Sequence, residues 1–435
     1  MVKSVERMKL PQVTICPTTP MTINVRKLIT VMHSRTQFVN LSDESITAFA
    51  QFMIAGSGFQ KMDAFVSKWN DSEIDRLTMI YDTMRNGMET RTFFYKFFDM
   101  FGLQCDELFQ FCRLGLEVSN CCEIFEPSYL IRRGRCFKTS GELYQRSFDE
   151  LGKLRLQMRR PITMDSARMS NDELIFFIGE AKPDIELFPR YFLYEHEFTR
   201  FRLTARQLNL LPGTEHCSEA YTGVGKATCY LIKWLIDSLE NPYKCTFPYM
   251  DKIRETGLPS CDAELLVKNY ARIVNAEGYS THNCTLACQR WEYSVNIDRT
   301  KGPSTEEFFG SSYNFRADIS YNDLQYEEIT EVKTITFVGL LSQIGGQLSL
   351  FLGSSFLTIV QIVILLVILS SRMARRKTVV PELPRTSDRT SRSRVEPNIS
   401  DNFVMNNANF YDSVLQDRRK SPERRANTDY QPQFY

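Results

Sequence analysis

The uncharged stretch that ends at Ser371, 24 residues of it from Leu348 onward, constrains this 435-residue chain more than any other feature. As a helix rising about 1.5 Å per residue, it is long enough to cross a hydrocarbon core of roughly 30 Å. Arg372, Arg375, Arg376 and Lys377 end it abruptly, and a basic cluster directly after an apolar span marks the cytoplasmic side of a membrane helix. The alternative is a helix buried in a soluble core. Charge is distributed to match a membrane orientation: 13 basic and 8 acidic residues from Arg372 onward give the tail +5 and the preceding residues −4, of a total of +1. A nucleic-acid binder would instead concentrate Lys and Arg on its folded part. We therefore expect 337–371 to form a transmembrane helix. Residues 372–435, rich in Arg, Ser, Pro and Asn, should form a disordered cytoplasmic tail.

The cysteines fall on one side of that span. All 12 lie between Cys16 and Cys288, and none is in the span or the tail. An oxidising compartment explains the asymmetry, because paired cysteines persist only there. Zinc competes poorly as an explanation. There is no CxxC pair, and His33, His196, His216 and His282 show no ligand spacing. The expectation is disulfide bridges, with no metal and no other cofactor. Met1 to Leu10 is charged and contains no apolar signal region, so export of the cysteine-rich part is expected to need a preceding membrane helix.

Between 44 and 112 the apolar residues recur at helical spacing. Ile46, Phe49, Phe52 and Met53 form one set, and Ile74, Leu77, Ile80, Tyr81 and Met84 another. The cluster Phe93, Phe94, Tyr95, Phe97, Phe98 and Phe101 reads as core rather than a ligand platform. Residues 185–205 mix aromatics with charges and suggest strands, and 320–333 alternate like a strand leading toward the span. Sequons at Asn40, Asn70 and Asn283 precede the span and are candidate glycan sites; a fourth at Asn398 lies in the tail and should be bare. No internal repeat is present. Neither GxSxG, a P-loop nor HExxH occurs, so no enzyme is expected.

A lipid-facing helix has no use for Gly345, Gly346, Gln347, Ser349, Gly353, Ser354, Ser355 and Gln361. Small and polar residues at membrane depth face another helix or water. Close helix packing and the lining of an ion path both fit, and spacing does not separate them.

A resemblance does. The stretch from Tyr326-Glu-Glu-Ile through Gly339-Leu-Leu-Ser-Gln-Ile-Gly-Gly-Gln-Leu-Ser-Leu-Phe-Leu-Gly-Ser-Ser-Phe-Leu-Thr-Ile-Val-Gln361 resembles the second membrane segment of the epithelial sodium channel, degenerin and acid-sensing channel family. Leu10-Pro-Gln-Val-Thr-Ile-Cys-Pro17 resembles that family's Phe-Pro-Ala-Val-Thr-Ile-Cys. Cys112, Cys121-Cys122-Glu-Ile-Phe-Glu-Pro and Gly134-Arg-Cys136-Phe resemble its cysteine block, and Asn283-Cys-Thr-Leu-Ala-Cys288-Gln-Arg-Trp-Glu-Tyr-Ser294 the end of its thumb. The cysteine block and the Trp-Glu-Tyr-Ser run look like those of an invertebrate degenerin-like or pickpocket-like member.

The resemblance implies an α+β fold. It implies an extracellular domain over 1–336, with a finger at 24–150, palm strands at 9–16, 155–205 and 291–333, and a thumb at 207–290. It further implies a trimer of identical or related subunits in the plasma membrane bilayer, conducting Na+. The Gly353-Ser354-Ser355 tripeptide would be the selectivity filter, Ser342 the gate position at which bulky residues hold degenerins open, and Ser349 the outer-pore position contributing to amiloride block. Family order implies bridges Cys16–Cys136, Cys217–Cys288, Cys229–Cys284 and Cys245–Cys261. Cys112 would join Cys121 or Cys122, with Cys105 taking the other. The chain departs from the family pattern in three ways. The family's cytoplasmic N-terminus and first helix have no counterpart before Met1. The thumb carries 6 cysteines, fewer than many relatives. Ser342-Gln343 and Gln361 are neutral where acid-sensing relatives place carboxylates. The alternatives are a truncated or non-conducting modulatory subunit and a single-pass, disulfide-rich receptor ectodomain.

Overall fold

In the computed structural model, the described residues are 1–164, 173–179, 190–212, 217–219, 226–252, 254–274, 284–301, 314–333, 336–353 and 356–376. The chain divides into two compact units, Met1–Thr336 and Phe337–Tyr435.

The first unit is α+β. Its helices begin where a short polar side chain can take up a free backbone N–H. Asn24 caps Val25–His33, Ser42 caps Asp43–Ala55 and Asn70 caps Asp71–Arg85, through side-chain oxygens that accept from Lys27, Ser45 and Glu73 N–H at 3.1, 3.2 and 2.9 Å. Asp43 and Glu44 sit in the first turn of their helix, where acidic charge complements the helix dipole. The apolar sets read from the sequence are the buried faces of Asp43–Ala55 and Asp71–Arg85. A further helix, Thr90–Phe101, buries Phe93, Phe94, Phe97, Phe98 and Phe101.

The helical expectation for 44–112 fails at its end. Cys105–Leu108 is a single turn, and Phe109–Leu114 is a strand. That strand pairs with Glu117–Ser119 and with Leu154–Met158. Bridges Cys105–Cys122 and Cys112–Cys121 pin the turn and strand to Cys121–Ile124, so tertiary constraint overrides a local pattern too short to decide helix or strand.

Two large sheets carry the rest. In the seven-stranded sheet, Glu197–Asn209 runs antiparallel to Gln289–Lys301 and parallel to Phe315–Thr330. Its alternation is clean: Phe201, Leu203 and Ala205 are buried, while Thr204 and Arg206 between and beyond them are exposed. The five-stranded sheet runs Arg190–Tyr194, Glu173–Gly179, Gln12–Pro17, Gly134–Thr139 and Phe125–Leu130 in spatial order. Cys16–Cys136 staples two of its neighbouring strands. Bridges Cys217–Cys288, Cys229–Cys284 and Cys245–Cys261 complete the set of six, which uses all 12 cysteines.

The largest core ignores the sequence boundary between 24–150 and 207–290. Phe49, Phe59, Phe94 and Phe98 share one buried cluster with Trp234, Phe247, Tyr249 and Tyr270. Phe59 stacks on Tyr249 with ring centroids 5.1 Å apart. Tyr270 Oη donates to the Phe59 carbonyl at 2.6 Å and accepts from Met62 N–H at 3.0 Å. Two helical regions separated by more than a hundred residues thus fold as one body. A second core lies between the two sheets and includes Val13, Ile15, Phe137, Phe176, Phe201 and Ile319.

One carboxylate is fully buried in the seven-stranded sheet. Asp318 is 0% exposed and meets Lys153 Nζ at 2.7 Å, Arg155 Nε at 3.1 Å and an Arg316 guanidinium nitrogen at 3.8 Å. Three cations around one acid make the burial tolerable, since an unpaired buried charge would cost several kcal/mol.

Candidate pore segment

The uncharged segment is two helices rather than one. Phe337–Leu352 ends at Gly353, and Phe356–Arg376 follows. The sequence reading took this region as a single helix. The difference lies at Gly353, whose φ of +60° places it in the left-handed region, where a residue with Cβ is strained and glycine is not. A left-handed glycine just past the last helical residue is a common helix stop. A charge-free run cannot reveal it, because hydropathy sees the glycine as neutral. The signal available was Gly353 followed by two serines.

Residues Leu357–Ala374 form a helix long and apolar enough to cross a membrane. Phe337–Phe351 is a shorter apolar helix. From Phe356 to Arg372 the second helix rises about 24 Å, so its start falls inside a core of about 30 Å.

Ser342, Gly345, Gly346 and Ser349 are spaced by three and four residues and so share one face of Phe337–Leu352. Gly353 continues that line one turn further. Leu340, Ile344 and Phe351 occupy the opposite face. All of these residues are exposed, and a Cβ added at Gly345 or Gly346 would meet nothing within 4 Å. Gln347 falls off the small-residue face. Gln361 belongs to the following helix, one turn after Thr358 and on its face. Ser354 and Ser355 lie outside the described residues, as do Asn283 and everything from 377 onward. Asn40 and Asn70 are exposed, and Asn70 also serves as a helix cap.

The acidic pair on the strand that precedes this segment is neutralised. Glu327 meets Arg206 at 2.8 Å and Glu328 meets Lys3 at 2.6 Å. The hydrogen bond that Lys3 donates to Glu328, reinforced by the charge of that carboxylate, holds the Lys3 amine above its ordinary range.

A family model described as the amiloride-sensitive sodium channel matches residues 1–192 and 226–365. Among curated proteins, the bile acid-sensitive ion channel of Rattus norvegicus is 27% identical over 199 residues, covering 42% of this chain and 34% of that relative. The human bile acid-sensitive ion channel is 31% identical over 97 residues, 19% of each chain. Acid-sensing ion channel 1 of Gallus gallus is 31% identical over 91 residues, 18% of this chain and 17% of the relative. The chain thus covers about a third of the length of the first of these relatives. The family match extends over well more than half of the residues, and the chain belongs to the amiloride-sensitive sodium channel family.

Proposed function

We propose that this chain is one subunit of a trimeric, sodium-selective, amiloride-sensitive channel of the plasma membrane. The observation that carries the reading is the helix break at Gly353 within an uncharged, membrane-length segment. A helix end leaves up to four carbonyls without an intrahelical partner and carries partial negative charge. Lipid cannot satisfy those carbonyls, so irregular backbone at membrane depth persists only where protein or a water-filled path meets it. A ring of such ends around a three-fold axis offers oxygens in place of an ion's hydration shell.

In this reading Gly353, Ser354 and Ser355 form the narrowest ring. Ser349, one turn outward, contributes to amiloride binding. Ser342 lies about 16 Å above Gly353 along the helix and acts as the gate. Gly345 and Gly346 let neighbouring helices approach, and Gln347 and Gln361 supply polar contacts at the outer and inner ends. Residues 24–150 are the finger, 155–205 and 291–333 the palm, and 207–290 the thumb. The first unit is extracellular, with Asn40, Asn70 and Asn283 available for glycans, and the tail is cytoplasmic. The partner subunits are copies of this chain or relatives.

Expression with a family subunit, under voltage clamp, tests the assignment. A larger residue at Ser355 should lower the preference for Na+ over K+, read as a shift in reversal potential. A bulky residue at Ser342 should raise open probability without that shift. Robust current with unchanged reversal potential across several Ser355 variants would reject the filter. A second reading, a modulatory subunit that conducts poorly alone, is favoured by one observation. No Asp or Glu occurs between Phe337 and Ser371, so the field that concentrates cations at a pore mouth would have to come from partners.

A further inference from the structure

We propose that the first unit contains a binding site for a flat aromatic monoanion, in the cavity between the N-terminal segment and the aromatic face of the seven-stranded sheet. The cavity has a volume of about 410 Å3, within the range of small-molecule sites, which are mainly apolar with a few placed polar groups. Trp291, Tyr293 and Tyr326 form one wall. Their strands flank Glu197–Asn209 on either side, and the Trp291 and Tyr326 rings lie 5.0 Å apart at a tilt of 60°. The opposite wall is the segment from Val5 to Gln12 together with the Gly141–Tyr144 turn.

Charge decides what the cavity prefers. Among the described residues, its only ionisable side chains apart from tyrosine are Arg7 and Lys9, and no carboxylate lines it. Lys9 is already paired with Glu142 at 2.6 Å, and Glu142 also accepts from Tyr144 Oη. Arg7 makes no salt bridge among the described residues; its guanidinium lies over the Tyr144 ring, 4.7 Å from the centroid. An exposed guanidinium resting on an aromatic at the edge of an apolar cavity offers a planar fork for a carboxylate or sulfonate, while the ring wall takes a flat apolar body. A cationic ligand would meet net positive charge, and an uncharged one would leave Arg7 unused. The strands that make the wall are held by main-chain pairing over 13 residues on one side, so the site is preformed. This inference is independent of the channel reading.

Equilibrium dialysis of 2-naphthoate against the full chain in lipid nanodiscs, with empty nanodiscs subtracted, tests it. Wild type should take up 2-naphthoate saturably, one per chain. Arg7→Gln alters an exposed side chain and should weaken 2-naphthoate about tenfold, equivalent to about 1.4 kcal/mol. The same variant should change binding of the neutral 2-naphthalenemethanol by less than twofold. Leu143→Trp fills the cavity from the turn and should weaken both probes more than tenfold. Uptake no greater than that of empty nanodiscs overturns the proposal. So does equal 2-naphthoate affinity in wild type and Arg7→Gln.

Discussion

Gly58→Ala should be among the most damaging single-methyl additions in the chain. Gly58 follows the helix Asp43–Ala55 and has φ of +79°, and its position faces Phe247, from the other end of the shared core. A Cβ there would lie 2.1, 2.3 and 2.7 Å from three Phe247 ring atoms. Two separate costs follow. Holding an L residue in the left-handed region costs about 1–2 kcal/mol, and overpacking a core that cannot relax adds about 1–3 kcal/mol. Phe247 has little room to retreat: it is 0% exposed and stacks with Tyr249 at 5.9 Å. The total is about 2–5 kcal/mol. Gly56→Ala isolates the second cost, because Gly56 has an ordinary φ of −71° while its Cβ would approach Ala263 Cβ to 2.6 Å. Denaturant unfolding of the unreduced chain, followed by fluorescence of Trp234 in the same cluster, gives the values. Adding Phe247→Leu should recover part of the Gly58→Ala loss, with a coupling energy of about 1–2 kcal/mol. A Gly58→Ala protein within 0.5 kcal/mol of wild type, or strict additivity with Phe247→Leu, would refute the shared core.

Other outcomes follow from the same structure. Replacing Cys217 and Cys288 by serine opens a loop of 71 residues and should cost about 4 kcal/mol on the loop-closure account; an unchanged denaturant midpoint would show that the bridge constrains nothing. Asp318→Asn leaves Lys153 and Arg155 without their buried partner and should destabilise by about 3–5 kcal/mol, whereas Asp323→Asn, at an exposed position of the same strand, should be neutral. Although Lys61 as a residue is exposed, desolvation around its amine, and then Arg133, Arg132 and Arg190, hold it down to about 8, while hydrogen bonds to Glu264 and Asp75 hold Lys268 up. Only the deprotonated amine is nucleophilic, so reactivity rises with pH: at pH 8 about half of Lys61 is unprotonated, against roughly a hundredth or less of an ordinary lysine. Brief acylation at pH 8 with peptide mapping should therefore mark Lys61 well ahead of Lys268, and equal labelling would contradict the Lys61 environment.

Legibility from the sequence followed the range of the interactions involved. The membrane-length segment and the one-sided cysteines were readable because each leaves a local or compositional trace, whereas the α+β class came only through the family resemblance. Helices Asp43–Ala55 and Asp71–Arg85 were readable because apolar residues at three and four spacing must share a face. The strand Phe109–Leu114 was not, because six residues cannot fix a period and the bridge at Cys112 decides it. The common core of Phe59 with Tyr249 and Tyr270 was hidden for the opposite reason: both partners look like ordinary apolar residues of separate helical regions. The helix stop at Gly353 depends on one backbone angle that hydropathy does not register. The pairing of Glu327 and Glu328 with Arg206 and Lys3 needed the strand register to appear.

Thiol scanning of Phe337–Leu352 tests the pore reading most directly. All 12 native cysteines are bridged, so an introduced cysteine is the reactive thiol of the chain. Cysteine would be placed singly at Ser342 and Ser349 on the small-residue face, and at Leu340, Ile344 and Phe351 on the other. The full chain would be expressed with a family subunit, and a water-soluble cationic methanethiosulfonate applied from outside during recording. The account predicts that Ser342→Cys and Ser349→Cys are modified, with a change in current, at least tenfold faster than the other three. Equal rates on both faces, or faster modification at Leu340, Ile344 and Phe351, would contradict it.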